Sequence, residues 1–376
     1  MTGLAERLKP PALVSFPGSH LGLRWRSLIP SDLGAVAELI RQVEKEDDAI
    51  FRTSSKEIAD LALGQCGAAP LEVIVGIAQD QGIVALGSVK ILASLTEAAV
   101  AIVNAVIHPS WRGRGVGRSL LHWQDGRARQ MLVEYFGADC ELPASIANWV
   151  DGHMTDRRRL YIAAGFYAKH MFQVMYRDLE GSESRGPVPE GLHVVPMSEV
   201  SFSKLHHVHS EVFADHPLTE ARDFWWERAL EDYEDRWSFV ALSDDGEIAG
   251  YCMSGRPAES WIAHGRLEAY INTIGVAPAY RGKGVASAMV SAATHAATQD
   301  GMSRIGIDAD IKSPTHAQAV YEHLGFLNEK GKPRVIPIPA DGKILAGKNA
   351  TSYLEYVNQH NGDLYPYNRI DYICRA

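Results

Sequence analysis

The chain has 376 residues, of which 46% are hydrophobic and 22% charged, the balance of an ordinary globular protein. This excludes a disordered, collagen-like or coiled-coil chain, and the length points to two domains. The formal net charge of -9, from 37 basic and 46 acidic side chains, argues against nucleic acid as the main partner and favours a neutral or cationic small molecule.

Residues 1–10 lack a basic segment followed by an apolar core, so no secretory signal is expected. No apolar run approaches the roughly 20 residues of a membrane helix, so a cytoplasmic protein without a membrane partner is expected. Cys66, Cys140, Cys252 and Cys374 lie far apart, with no CxxC pair and no His–Cys cluster. Neither a disulfide framework nor a metal site is expected from them.

In chain order, residues 23–33 open with a strand, a polar cap and a helix. Residues 106–117 then read as a strand end, a turn and a helix start: Val106-Ile107-His108-Pro109-Ser-Trp-Arg112-Gly113-Arg114-Gly115-Val116-Gly117. Leu160-Tyr161-Ile-Ala-Ala-Gly-Phe166 follows. The stretch from Glu180 to Glu190, rich in Gly, Ser and Pro, reads as a linker. After it the pattern starts again. Residues 192–200 resemble the first opening, and Ile274-Gly275-Val276-Ala-Pro278-Ala-Tyr280-Arg281-Gly282-Lys283-Gly284-Val285-Ala286 repeats the first loop about its proline. Val320-Tyr321-Glu-His-Leu-Gly-Phe326 repeats the later segment. The chain therefore reads as a tandem duplication of one α/β domain, with domains at 1–180 and 192–336, a linker at 181–191 and an extension at 337–376.

The second copy reads most clearly. Residues 238–242 and 247–254 are strands around the tight-turn signal Asp244-Asp-Gly246. Residues 267–276 form a longer strand, 285–299 an Ala-rich helix, 304–309 a strand and 315–324 a short helix that Gly325 ends. Hairpins followed by strand–helix–strand–helix predict an α/β fold in each copy: a central mixed β-sheet flanked by helices on both faces.

The repeated loop sits where a strand meets a helix. Its glycines let the backbone turn tightly, and the first helical N–H groups and the helix dipole favour an anion there. Such a loop suits a phosphate or pyrophosphate, with Arg281 and Lys283 adding charge at the rim. It is neither GxxxxGK[ST] nor GxGxxG with a downstream acid, which disfavours a nucleoside triphosphatase and a dinucleotide enzyme.

The R-x-x-G-x-G/A loop after a V-x-P strand, with the downstream Tyr-x-x-x-Gly-Phe, resembles the GNAT acyl-CoA transferases in both halves. Leu120-Leu-His-Trp123, residues 211–216 and Ile307-Asp-Ala-Asp310 are similar to the tandem GNAT group that includes mycothiol synthase. The resemblance implies acetyl-CoA as cosubstrate, one per domain. The loop amides of Arg281, Gly282, Lys283, Gly284, Val285 and Ala286 would hold its pyrophosphate. The backbone of Ile274, Gly275 and Val276 would line the pantetheine arm. Val106, Ile107 and His108, with Arg112, Gly113, Arg114, Gly115, Val116 and Gly117, would do the same in the first copy. Ser313 stands where the family often has an Asn that contacts the cofactor.

For catalysis the resemblance places a general acid at Tyr321, with Tyr161 as its first-copy equivalent. A phenol stays protonated at neutral pH and can donate to the leaving thiolate. The family's base is commonly a carboxylate on the central strand, and Glu268 lies there, on the face it shares with Tyr270 and Asn272. The first copy's strand, 99–107, carries no acid, which places the chemistry in the second copy. Asp215 and His216 stand where family members contact the acceptor. His206, His207 and His209 do not share one helix face, so no metal is expected. Trp225 and Trp226 read as packing residues. The expected activity is N-acetylation of the amine of a small molecule, such as an amino sugar, aminocyclitol or amine-bearing natural product. A protein or peptide amine, or an acetyl-CoA-binding scaffold without turnover, are the alternatives. The sequence leaves the oligomeric state open.

Overall fold

A computed structural model of the chain describes residues 2–66, 69–93, 97–179, 184–214, 222–311 and 317–327, and three later strands. It divides into two compact units, the first running to His170 and the second beginning at Met171.

Unit one contains α1 (Leu4–Leu8), β1 (Arg24–Ser27), α2 (Leu33–Glu46), α3 (Ser55–Leu63), β2 (Gln65–Cys66), β3 (Ala69–Ala78), β4 (Gly82–Ile91), β5 (Ala99–Ile107), α4 (Val116–Phe136), β6 (Ala144–Asp151) and α5 (Thr155–Ala163). The strand order is β1-β3-β4-β5-β6. Neighbours up to β5 are antiparallel, while β6 runs parallel to β5 because α4 carries the chain back across the sheet. Val36, Leu39, Ile40 and Val43 recur at helical spacing on α2 and pack on Val73, Val75 and Leu86 of the sheet. Ser54 and Glu57 close a capping box that starts α3.

Unit two contains β7 (Tyr167–Asp178, from Met171 onward), β8 (Leu192–Pro196), α6 (Phe202–Val212), α7 (Arg222–Leu230), β9 (Phe239–Ser243), β10 (Ile248–Gly255), α8 (Ala258–His264), β11 (Glu268–Val276), α9 (Val285–Gln299), β12 (Arg304–Asp310) and α10 (Ala317–His323). The order is β7-β12-β11-β10-β9-β8, with only β11 and β12 parallel. Met289, Val290 and Ala293 of α9 bury one face of the sheet, against Phe239, Cys252, Ile271 and Ile305. Leu205 of α6 and Trp226 of α7 bury the other, against Val240, Tyr251 and Met253. Trp226 is thus a packing residue, as the sequence suggests. Helix α8 has no counterpart in the sequence reading.

The boundary between the units does not coincide with the boundary between the two copies. Strand β7 follows the last helix of the first copy, yet it pairs with β12, from Asp178↔Arg304 to Phe172↔Asp310. The tail, read from the sequence only as an extension, contains a hairpin of β13 (Lys343–Ala346) and β14 (Asn349–Ser352), and then β15 (Asn368–Arg375), which lies beside β6. The division at His170 accordingly falls ahead of the Gly- and Pro-rich segment rather than within it. No helix among the described residues is long and apolar enough to cross a membrane.

Candidate active site

After β11 the chain makes one tight turn (Pro278–Tyr280) and enters α9 through Gly282 and Gly284, at φ 73° and 80°. Gly113 and Gly115 of unit one repeat this, at 74° and 87°. Gly284 caps α9, and the first bond of that helix runs from the Ala288 N–H to the Gly284 carbonyl. The amides just before it carry no helical partner, and with the helix dipole they form a cradle for an anion. Val285 is buried under the loop. Arg281 is exposed at the loop. Its guanidinium folds back, Nε donating to the Val276 carbonyl at 3.2 Å and Nη2 to the Val212 carbonyl at 3.1 Å, and so ties the loop to the ends of β11 and α6. Lys283 lies with its Nζ 5.5 Å from the centre of the Tyr280 ring. Gly275 is required by crowding, since a Cβ there would come within 2.6 Å of the Tyr251 ring.

Strand β11 carries a β-bulge. It pairs with β10 from Gly250↔Val276 to Met253↔Thr273, and then Ser254 faces Ile271, which leaves Asn272 as an extra residue. The parallel pairing with β12 ends at Ile271↔Ile307. Beyond that point β11 runs on to Val276 without further ladder pairing to β12. Ile274 packs with the α9 core, whereas the Asn272 amide reaches the α7 carbonyl face at Ala229 and donates to Asp232 Oδ1 at 2.6 Å. The Tyr270 hydroxyl donates to Asp308 Oδ1 at 2.7 Å. Burial raises the Asp232 carboxyl above the usual carboxylate range, against the Asn272 hydrogen bond that lowers it.

Tyr321 lies on α10, 5% exposed, with its ring 6.2 Å from that of Phe326. Burial pushes its phenol up, and the Asp308 carboxylate on β12 acts in the same direction. The Cys252 thiol is pushed up to about 12 by burial, so it is neutral and inert at physiological pH.

Glu268 is not placed to act as a base. It stands at the closed end of the β11–β12 pair, opposite Arg304, and its carboxylate meets Arg304 Nη2 at 2.6 Å with both side chains 2% exposed. Arg304 in turn stacks on Tyr176, 3.8 Å from the ring centre. Alternation correctly puts Glu268 on the face of Tyr270 and Asn272, but its ion pair is sealed from solvent. Asp215, His216 and Ser313 lie outside the described residues. His206 turns to Asp223, His207 to Glu211 and buried His209 to the Tyr251 hydroxyl. Among the described residues no group of His, Cys, Asp and Glu is arranged to hold a metal ion.

Unit one keeps the loop but differs in the strands beside it. Strand β5 pairs with β4 without a bulge, from Ile91↔Ala101 to Ala85↔Ile107. Its pairing with β6 stops at Ile102↔Ala147, and the next residue of β6, buried Asn148, donates from Nδ2 across the gap to the Val103 carbonyl. Gln124 of α4 donates to the Asn104 carbonyl at 2.7 Å and to the Ser88 carbonyl at 3.0 Å. Arg112 is held at both nitrogens by Asp47, at 2.5 and 2.9 Å, and Asp47 also takes Arg157 at 2.6 Å. Tyr161 is buried against Phe166, in the manner of Tyr321. The Asn148 side chain thus crosses between β5 and β6 on the approach to the backbone of Val106, Ile107 and His108.

Residues 203–326 match the family model described as the acetyltransferase (GNAT) family. The chain is 29% identical to the mycothiol acetyltransferase of Streptomyces coelicolor over 235 residues, covering 60% of this chain and 67% of that one. To the mycothiol acetyltransferase of Nocardiopsis dassonvillei it is 26% identical over 251 residues, covering 59% and 70%. The matches thus span about two thirds of these relatives. A GCN5-related N-acetyltransferase from Sphaerobacter thermophilus shares the fold with a TM-score of 0.64 at 18% identity, over 96% of both chains. A tandem GNAT protein from the clavulanic acid biosynthesis pathway does so with a TM-score of 0.58 at 15% identity, over 94% of this chain and 98% of its own.

Proposed function

We propose that this chain, whose residues 203–326 are a domain of the GNAT acetyltransferase family, is an acetyl-CoA-dependent N-acetyltransferase of a small-molecule amine, with its chemistry in unit two. The observation that carries the reading is that β11, whose pairing with β12 ends at Ile271↔Ile307, leads into a glycine-capped helix start, while the buried phenol of Tyr321 packs in the core cluster shared by these same elements. In this reading the cosubstrate's pyrophosphate rests on the amides at the start of α9, and its pantetheine arm runs along the unpaired part of β11. The amine nitrogen, once it has lost a proton, attacks the thioester carbonyl to form the C–N bond. The C–S bond then breaks, Tyr321 protonates the departing sulfur and the nitrogen loses its second proton. Tyr321 recovers a proton from solvent, so each turnover releases one proton in all. The names of the relatives, which concern mycothiol and clavulanic acid biosynthesis, support a small-molecule acceptor. The test is free-thiol release on mixing acetyl-CoA with glucosamine, streptamine or a lysine-containing peptide. Amine-dependent release supports the reading, turnover of the peptide alone would favour a protein acceptor, and binding without release would favour a scaffold.

Two expected results follow for the cosubstrate. Gly284→Val forces a β-branched residue to φ 80°, where the nearest atom to its Cβ, Pro189 Cγ, is 3.9 Å away. The cost is therefore one of backbone strain, about 1–3 kcal/mol, and it falls on the cradle itself. Calorimetry should show acetyl-CoA binding weakened about tenfold or more, since about 1.4 kcal/mol is a factor of ten. Because Asn148 crosses the gap in unit one, calorimetry on the wild-type chain should also give one acetyl-CoA per chain. Two equal sites would show that Asn148 gives way to the ligand.

A further inference from the structure

We infer that Asp232 is the base that takes the proton of the acceptor ammonium, with Asn272 on the bulge as its positioning residue. The inference rests on the acetyltransferase reading and supplies the group that Glu268 does not. Asp232 follows α7 and is half-buried on the acceptor side of β11, at the residue where that strand departs from regular pairing. Alternation keeps Asn272 on the face of Tyr270, and the bulge turns the residues after it, so that Ile274 packs on the α9 side while Asn272 stays on the side of Asp232. In an unbulged strand every second side chain would keep to one face, and the facing of residues 270 and 274 would be the same.

The place is built for this pair. Gly255 of β10 lies directly against it, and a Cβ there would fall 2.4 Å from both Asn272 Nδ2 and Asp232 Oδ1. The Arg256 N–H donates to the Asp232 backbone carbonyl at 2.7 Å and fixes the turn from the other side. One residue pair nearer the closed end, Tyr270 holds Asp308, so two carboxylates stand on the face that a cation would approach. By the rise of a strand, the residues that hold them, Tyr270 and Asn272, are about 6–7 Å apart along β11. The chemistry this selects is an amine that arrives protonated.

The charged groups around Asp232 leave its role intact. Arg228 of α7 favours the carboxylate and Glu231 opposes it. Glu234, from the following turn, is taken up by Arg236 at 3.1 Å and by Arg256 of the β10 end at 2.5 Å. Burial is the largest influence, and it makes the carboxylate a stronger proton acceptor than one in water. In the step proposed, the N–H bond of the ammonium breaks, the proton goes to Asp232, the electron pair stays on nitrogen, and Asp232 later releases the proton to solvent.

The experiment follows kcat/KM against pH for the full chain and for Asp232→Asn, Asp232→Glu and Asn272→Ala, with acetyl-CoA and glucosamine, streptamine or the lysine peptide. Calorimetry follows acetyl-CoA affinity alongside. Asp232→Asn should lower kcat/KM about 10²–10³-fold at pH 7 with unchanged acetyl-CoA affinity. The deficit should shrink as the pH rises through the pKa of the amine, because a neutral amine needs no base. Asp232→Glu should recover part of the rate. Asn272→Ala removes a donor to the carboxylate, so the acidic limb of the profile should move to higher pH. An Asp232→Asn deficit that is the same at every pH, or a rate within threefold of wild type at pH 7, would overturn the assignment and leave the enzymatic reading standing. A wild-type chain that binds acetyl-CoA but acetylates none of these amines would overturn both.

Discussion

Tyr321→Phe is expected to lower kcat about 10²–10⁴-fold, the usual worth of a general acid, without changing the fold or acetyl-CoA affinity. The change removes one hydroxyl from a side chain that otherwise packs in the α9 core, so the ring contact with Phe326 survives. Burial keeps the phenol protonated at every pH the protein meets, so the variant should be impaired across the whole profile rather than on one limb. Acetyl thioesters with more acidic leaving thiols should suffer less, because a better leaving group needs less help from an acid. Stopped assays with two such thioesters separate the cases: equal loss with both, or no loss with acetyl-CoA, would remove Tyr321 from the chemistry. The equivalent Tyr161→Phe change in unit one should leave turnover unaltered, since the proposed chemistry lies in unit two.

Glu268→Ala is expected to destabilise the chain by about 3–5 kcal/mol, because it strands the buried Arg304 guanidinium without its partner. For a unit of this size each kcal/mol moves the melting temperature by about 2–4 °C, so a fall on the order of 10 °C should appear in a thermal scan. Glu268→Gln keeps the shape and removes the charge, and should also destabilise. Replacing both partners by apolar residues, Glu268→Met with Arg304→Leu, should recover most of the loss, as paired hydrophobic replacement of a buried ion pair often does. The pH dependence of kcat/KM should be unchanged in any variant that remains folded. A stable Glu268→Gln protein that had lost the acidic limb of its profile would return Glu268 to the role of base.

The repeated glycine loops were legible from residues alone because their chemistry is local. Gly113 and Gly115, like Gly282 and Gly284, adopt left-handed backbone conformations that other residues avoid, and each second glycine caps the helix that follows it. The hairpin around Gly246, the α9 boundaries and the burial of Tyr321 follow in the same way from turn preferences, helical periodicity and an apolar segment closed by Gly325. The tandem, mixed-sheet architecture was legible for the same reason, since each copy repeats these local signals in the same order.

What escaped the sequence depends on residues that meet from far along the chain. Alternation gives the face of Glu268, but not that Arg304 lies opposite and seals it. Asp232 belongs to the acidic stretch Glu231-Asp232-Tyr233-Glu234-Asp235, which carries no local motif, and only the fold brings Asn272 and Gly255 against it. The two loops look alike, yet beside one the Asn148 side chain reaches the Val103 backbone, while beside the other the Tyr270 hydroxyl reaches the Asp308 carboxylate. The exchange of β7 into the second sheet, with β15 beside β6, has no local signature either, because an isolated strand carries its face pattern but not the identity of its neighbour. A one-residue bulge has the same character: it shifts the facing of everything after Asn272, and it exists only because β10 offers one residue where β11 offers two.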